Sequence, residues 1–188
     1  MSMQTAPRRW SYAEFTGLPQ DGNRYEIIAG ELCMTPAPRT AHQELVTRLT
    51  VLLANFVREN DLGEVLVGPV DLLFGEGDYL ESDLVFIRRE RSGIISERGI
   101  EGAPDLVIEV TSPATAGRDR GIKRERYAWF GVPEYWIIDP DLRQVEVYRM
   151  LQHPSQPEVV RETLRWRLAP GAPILEVALK DVFKIVEA

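Results

Sequence analysis

The sequence predicts a single α/β domain with a central mixed β-sheet flanked by helices. Three observations lead there. Short apolar segments rich in β-branched and aromatic residues recur between turn residues, as strands do. Apolar residues at helical spacing follow Thr40. One strand-like segment is joined to the next by a helix-length connection, the mark of a crossover between parallel strands. With 188 residues, 44% of them hydrophobic, the chain can bury one sizeable core.

Residues 1–9 read as a flexible tail, and 10–188 as one domain. Ser11 and Glu14 form a capping-box pair, with Trp10 and Phe15 placed to staple the first turn of a short helix that Asp21, Gly22 and Asn23 end. YEIIAGELCMT then reads as a hairpin of two short strands joined at Ala29 and Gly30. Thr40 and Gln43 make a second capping box, and Leu45, Leu49, Leu52 and Phe56 mark an amphipathic helix, Arg39 to Asn60, that must cover a sheet. The sheet segments are EVLVG with PVDLLF, then SDLVFI, PDLVIEV and EYWIID, continued by QVEVYR. GEGDY lacks the lysine and spacing of a phosphate-binding loop and reads as a hairpin turn. A helix from Gly117 to Phe130, stopped by Gly131 and Pro133, links PDLVIEV to EYWIID. After Arg149, QHPSQPE reads as loop, and RETLRWRLAPGAPILEVALKDVF as further strands and a last short helix.

The composition narrows the class. No run of 18 apolar residues exists, and MSMQTAPRRW is not followed by a stretch of signal-peptide length, so the expectation is a cytoplasmic protein without a membrane partner. The single cysteine, Cys33, between Leu32 and Met34, is read as a packing residue. The net charge of -7 and pI near 5.0 speak against a strong grip on nucleic acid. Two basic runs, RRER at Arg88 to Arg91 and RDRGIKRER at Arg118 to Arg126, soften that. The balance predicts weak binding to DNA.

In PDLVIEVTSP the strand period of two puts Asp105, Val107, Glu109 and Thr111 on one face and Leu106, Ile108 and Val110 on the other, read as the core face. A carboxylate between Ile108 and Val110 needs an ionic partner. Asp105, four residues away, lies about 13 Å along the strand and cannot share a metal with Glu109. Asp83, opening SDLVFI, can be brought beside Glu109 by strand pairing. Two hard oxygen ligands plus water suit Mg2+ or Mn2+ better than zinc. Lys123, on the following helix, can steady developing charge on a phosphate. Each residue also has a plain structural reading: Asp83 and Asp105 as turn caps, Lys123 as a surface partner of Asp119 four residues earlier, and His42 as a packed core histidine. His42 fits the rim of an active site equally well.

GAPDLVIEVTSP, RDRGIKRERYAWFGVPEYWIIDP and VEVYR together resemble the Uma family of restriction endonucleases, whose fold is that of the PD-(D/E)XK nuclease superfamily. The resemblance runs from about Tyr25 to Tyr148, and GVPEYWIIDP is its most specific block. It implies a restriction-endonuclease-like fold in which Asp83 and Glu109 bind the metal. The superfamily lysine stands two residues after the acid, where this chain has Thr111. The resemblance implies a migrated lysine, delivered from the next helix as Lys123. Ser82 stands where the family usually has proline.

These readings combine into a divalent-metal-dependent endonuclease that hydrolyses phosphodiester bonds of DNA. Asp83, Glu109 and Lys123 are its catalytic residues, with Asp105 and His42 in support. A homodimer is within expectation, because many such nucleases pair to cut two strands. The alternatives are a non-catalytic interaction protein that keeps the fold, which the acidic charge fits, and a metal-dependent hydrolase acting on something other than DNA.

Overall fold

The computed structural model describes residues 10–75 and 77–184. The expected tail at 1–9 lies outside them, as does Glu76 in the GEGDY turn.

In chain order the elements are α1 (Tyr12–Thr16), β1 (Arg24–Ile28), β2 (Glu31–Thr35), α2 (Thr40–Glu59), β3 (Gly63–Gly75) and β4 (Asp78–Arg88). A 3-10 turn (Arg89–Ile94), β5 (Ile95–Ser96), β6 (Gly99–Ile100) and β7 (Leu106–Val110) follow. Next come α3 (Ala116–Arg118), a π-helical turn (Asp119–Lys123) and α4 (Arg124–Trp129). The chain closes with β8 (Glu134–Asp139), β9 (Gln144–Arg149), β10 (Glu158–Val160), β11 (Thr163–Trp166), β12 (Leu175–Ala178) and α5 (Leu179–Val182).

The main sheet runs β10-β9-β8-β7-β4-β3-β6-β5, with the β1–β2 hairpin attached to β4, while β11 and β12 pair separately. β3 and β4 form a long antiparallel hairpin and β4 pairs antiparallel with β7, but β7 and β8 are parallel and joined by the kinked helix. The predicted mixed sheet and crossover are therefore both present. Ala29 and Gly30, both at positive φ, make the β1–β2 turn with a twist that matches its strands.

Both faces of the sheet are buried, whereas the sequence reading assigned only one face of β7 to the core. Leu106, Ile108 and Val110 pack with Leu84, Phe86, Trp136 and the α2 residues Leu45, Leu49 and Leu53. Val107 packs on the opposite side with Val85, Ile87, Tyr135, Ile137 and Tyr127 of α4. A polar side chain on that second face must therefore find its partners inside the protein.

The α1 capping box forms as expected, with Ser11 and Glu14 bonding reciprocally. The second expected box does not. Thr40 is already helical, Arg39 holds the cap position, and no side chain bonds the helix start. The buried stripe of α2 is Leu45, Val46, Leu49, Leu53 and Val57, while Leu52 is 38% exposed. The helix is thus rotated toward positions four apart, and Phe56 reaches the core only partly. Among the described residues no helix is long and apolar enough to cross a membrane.

Candidate active site

The site follows from strand register. β4 and β7 pair Leu84 with Ile108 and Val85 with Val107. One step further along this register, Asp83 comes opposite Glu109, on the same face, and directly opposed residues of antiparallel strands lie about 5 Å apart at Cα. The ladder stops there because the Asp83 side chain takes over: its Oδ2 accepts the Val110 N–H at 2.9 Å. Gly68 of β3 makes this possible on the other side. A Cβ at Gly68 would come within 2.0 Å of the Ser82 carbonyl oxygen, so only glycine lets β3 pass so close beside the aspartate.

Asp83 is 3% exposed and fully partnered. Besides Val110, Arg24 Nη1 donates to Oδ1 at 2.9 Å and His42 Nε2 lies 3.1 Å from Oδ2. Burial pushes the carboxyl up, but the hydrogen bond and charge of His42, then Arg24 and the Val110 amide, outweigh it and hold Asp83 at about 2.

Glu109 is held differently. Lys123 Nζ stands 2.6 Å from Oε1, and the Tyr127 hydroxyl donates to the same oxygen at 2.9 Å. Burial is the main influence, and Asp83, Asp119 and Glu26 add repulsion that Lys123 only partly offsets, raising Glu109 to about 8.

The surface-pair reading of Lys123 does not hold, because Lys123 and Asp119 are both 3% exposed. Lys123 Nζ also lies 2.7 Å from Glu26 Oε1 and donates to the Glu81 carbonyl at 2.7 Å. Burial alone would pull its pKa down, but Glu109, Glu26 and Asp119 raise it well above the usual lysine value, so it stays a cation. The backbone reason is the break at Gly121, whose φ of -100° and ψ of -108° interrupt the helix between Asp119 and Lys123. Asp119 then accepts the Thr111 hydroxyl at 2.8 Å. Thr111 thus anchors, through its hydroxyl, the helix that carries Lys123.

These groups line one cleft of about 450 Å³. Its wall brings together Asp83, Glu109, Lys123 and His42. Asp105 is not among them: it sits at the other end of β7, where its carboxylate takes Arg88 Nε at 2.6 Å and Arg91 Nη1 at 2.9 Å. It is a structural clamp for the turn after β4.

Glu26, Glu81 and Asp119 also face the cleft, and sequence reasoning did not assign them to the site. Glu26 carried the same signal as Glu109, a carboxylate between apolar neighbours inside a strand, Tyr25 and Ile27. It is 4% exposed and accepts the Glu81 N–H at 3.0 Å. Glu81 alternates with Asp83 on β4. Burial first, and then Glu26 and Asp71 against the help of Arg24 and Lys123, raise it to about 7.

The donor set fits a hard divalent cation. Six carboxylates, Glu26, Glu81, Asp83, Glu109, Asp119 and Asp141, line the cleft against four cations, Arg24, Arg39, Arg118 and Lys123. With Glu81 and Glu109 ionised, the carboxylates outnumber the arginine and lysine cations by two, a charge that one divalent ion would balance, and oxygen ligands suit a hard cation. Among the described residues no three His, Cys, Asp or Glu side chains are grouped as a ready-made metal cage. The Asp83 oxygens are instead occupied by the chain's own donors.

The two basic runs are internally neutralised. Arg88 and Arg91 bind Asp105 and Arg89 pairs with Asp61. Arg120 bridges Asp139 and Glu146, while Arg126 binds Asp78. Arg118 reaches Thr35 and Glu26 inside the cleft. The expected basic face is therefore largely spent on holding the fold.

A two-faced mixed sheet with a carboxylate pair at the β4–β7 junction and a lysine delivered by the crossover helix defines a restriction-endonuclease-like α/β domain. The fold is similar to the crystal structure described as "a putative nuclease belonging to DUF820" from Anabaena variabilis. The TM-score is 0.75 at 24% identity, over 91% of this chain and 96% of that one. Over residues 12–180 the chain matches Uma2, described as "Putative restriction endonuclease", and it belongs to that family. No curated protein matches the chain.

Proposed function

We propose that this protein is a divalent-metal-dependent endonuclease that hydrolyses phosphodiester bonds of DNA, with Asp83 and Glu109 as the metal-holding carboxylates. The observation that carries the reading is the burial of Asp83, Glu109 and a protonated Lys123 against one cleft, reached from three separate elements. A scaffold has no need to bury converging carboxylates, because each ionised one costs solvation.

A Mg2+ or Mn2+ ion held by these carboxylates would supply Lewis acidity and a water of lowered pKa. The chain's own groups do the rest. Lys123 keeps its proton and presents positive charge where negative charge develops on the phosphate. The Val110 N–H and His42 aim Asp83, and Tyr127 aims Glu109. The burial of Asp83, Glu109 and Lys123 strengthens the interactions between their charges. Two copies acting together would cut both strands of a duplex, and we place the activity in the cytoplasm.

The test is cleavage of plasmid DNA with Mg2+ or Mn2+, with and without chelator. The wild type should nick the plasmid, chelator should stop it, and Glu109→Gln and Lys123→Ala should each lower the rate by about 10² or more. Equal cleavage by all three proteins would trace the activity to a contaminant.

A second reading has an observation of its own. Both basic runs are taken up in internal ion pairs and the net charge is -7. That favours either a non-catalytic interaction protein or a hydrolase of a smaller phosphodiester. Cleavage of bis(4-nitrophenyl) phosphate without cleavage of DNA selects the hydrolase, and failure on every substrate selects the interaction protein.

A further inference from the structure

Arg24 stands in a position that the nuclease reading does not use. It enters the cleft from β1 and is the cation nearest to Asp83 Oδ1, at 2.9 Å. Its second contact, Nε to Glu81 Oε2, is 3.2 Å long but poorly aligned, and that carboxylate oxygen has no hydrogen-bond donor. Arg24 is therefore tied to the site by one hydrogen bond and by charge. Its side chain is 19% exposed, in contrast to the buried Lys123 with its three close oxygen partners.

Two consequences follow. A cation bound at Asp83 meets Arg24 as a rival for the same oxygen, because like charges a few ångströms apart repel strongly in a partly buried site. Lys123 is less of a rival, since Glu26 and the Glu81 carbonyl hold it independently of Glu109. Once off Asp83, the guanidinium is still on the cleft wall and carries a donor fork matched to phosphate oxygens.

We propose that Arg24 competes with the divalent ion for Asp83 and, when displaced, binds a phosphate oxygen of the substrate in the same cleft. Arg24 thereby acts as a substrate-binding residue whose release is coupled to metal loading. The inference rests on the metal-dependent reading of the site.

The test begins with Mn2+ alone, titrated by calorimetry into the full chain. R24Q removes the rival charge and should bind Mn2+ on the order of three- to tenfold more tightly than wild type. With Mn2+ present, R24Q should bind a cleavage-resistant phosphorothioate duplex at least about tenfold more weakly. R24K restores the charge without the fork, so its Mn2+ affinity should return to within about twofold of wild type while duplex binding stays weak. In the wild type, the Arg24 Nε resonance, identified by its loss in R24K, should shift on addition of Mg2+ while that of Arg88 does not. This holds the inference to account even where R24Q folds poorly. Equal or weaker Mn2+ binding by R24Q, undiminished duplex binding, or an unmoved Arg24 resonance overturns the inference alone. A wild type that binds neither ion overturns the metal-dependent reading along with it.

Discussion

Lys123 Nζ lies 2.6 Å from Glu109 Oε1, although one residue belongs to a broken helix and the other to the strand before it. The contact sets a cation from the crossover helix against a carboxylate of the strand. It ties charge compensation at the site to the shape of the helix at Gly121. Several measurable properties depend on this pair and its neighbours.

The metal-free protein should lose stability as pH rises from about 5 to about 8. Glu109 and Glu81 have folded values of about 8 and about 7, above the ordinary 4.5, so the folded state holds more protons than the unfolded state through this window. Their contribution is fully present below the unfolded value and is lost as pH rises through the folded one. Asp83, at about 2, acts in the opposite sense: its contribution is present above 3.8 and is lost as pH falls through about 2. Melting curves from about pH 1.5 to about pH 9 check both limbs, and a flat profile from 5 to 8 would contradict the buried, mutually repelling carboxylates.

Glu109→Gln mimics the protonated side chain. Near pH 5 the metal-free variant should melt close to wild type, and near pH 8.5 it should melt higher, because the substitution removes the charge that becomes costly there. Its Mn2+ affinity should fall by at least about tenfold, since a ligand charge is gone. Thermal melts with and without Mn2+ at the two pH values separate these effects.

Lys123→Ala leaves Glu26 and Glu109 facing each other without their shared cation. Loss of one partner from a buried ionic group costs about 3–5 kcal/mol. The metal-free variant should therefore melt well below wild type, and Mn2+ should recover part of the loss by restoring positive charge. Comparable destabilisation with and without Mn2+ would show that no cation binds near Lys123.

Asp105→Ala tests the placement of that residue outside the cleft. It frees Arg88 and Arg91, both about one-third exposed and able to turn to water, so the cost should be modest, about 2 kcal/mol. Mn2+ affinity should stay within about twofold of wild type. A tenfold loss of affinity would return Asp105 to the site.

Metal binding should release protons, and more of them near pH 7 than near pH 9, because Glu109 must ionise to act as a ligand. Calorimetry of Mn2+ binding in two buffers of different ionisation enthalpy counts them directly. Zero release at pH 7 would place the ion elsewhere.

The sequence by itself determined the order of the main elements, the crossover and the charged residues Asp83, Glu109 and Lys123 that meet in the cleft. Strand periodicity, the Ser11–Glu14 box and the Gly131–Pro133 stop are local signals, and a carboxylate between Ile108 and Val110 announces a buried charge wherever the strand goes. Glu26 carried the same announcement and could have been read with it. Only the tertiary structure decided which charges meet. The capping position and buried stripe of α2 were displaced from their expected residues because packing against the sheet, more than the Thr40–Gln43 pattern, sets where that helix starts and faces. The basic runs looked available in one dimension, but carboxylates at Asp61, Asp78, Asp105, Asp139 and Glu146 claim most of their cations. Asp105 and Glu109 share a strand face yet serve opposite ends of it, one clamped by arginines and the other set against Asp83 and Lys123. A one-dimensional pattern records that a buried charge needs a partner, but the partner's identity depends on register between distant strands and on one broken turn of helix.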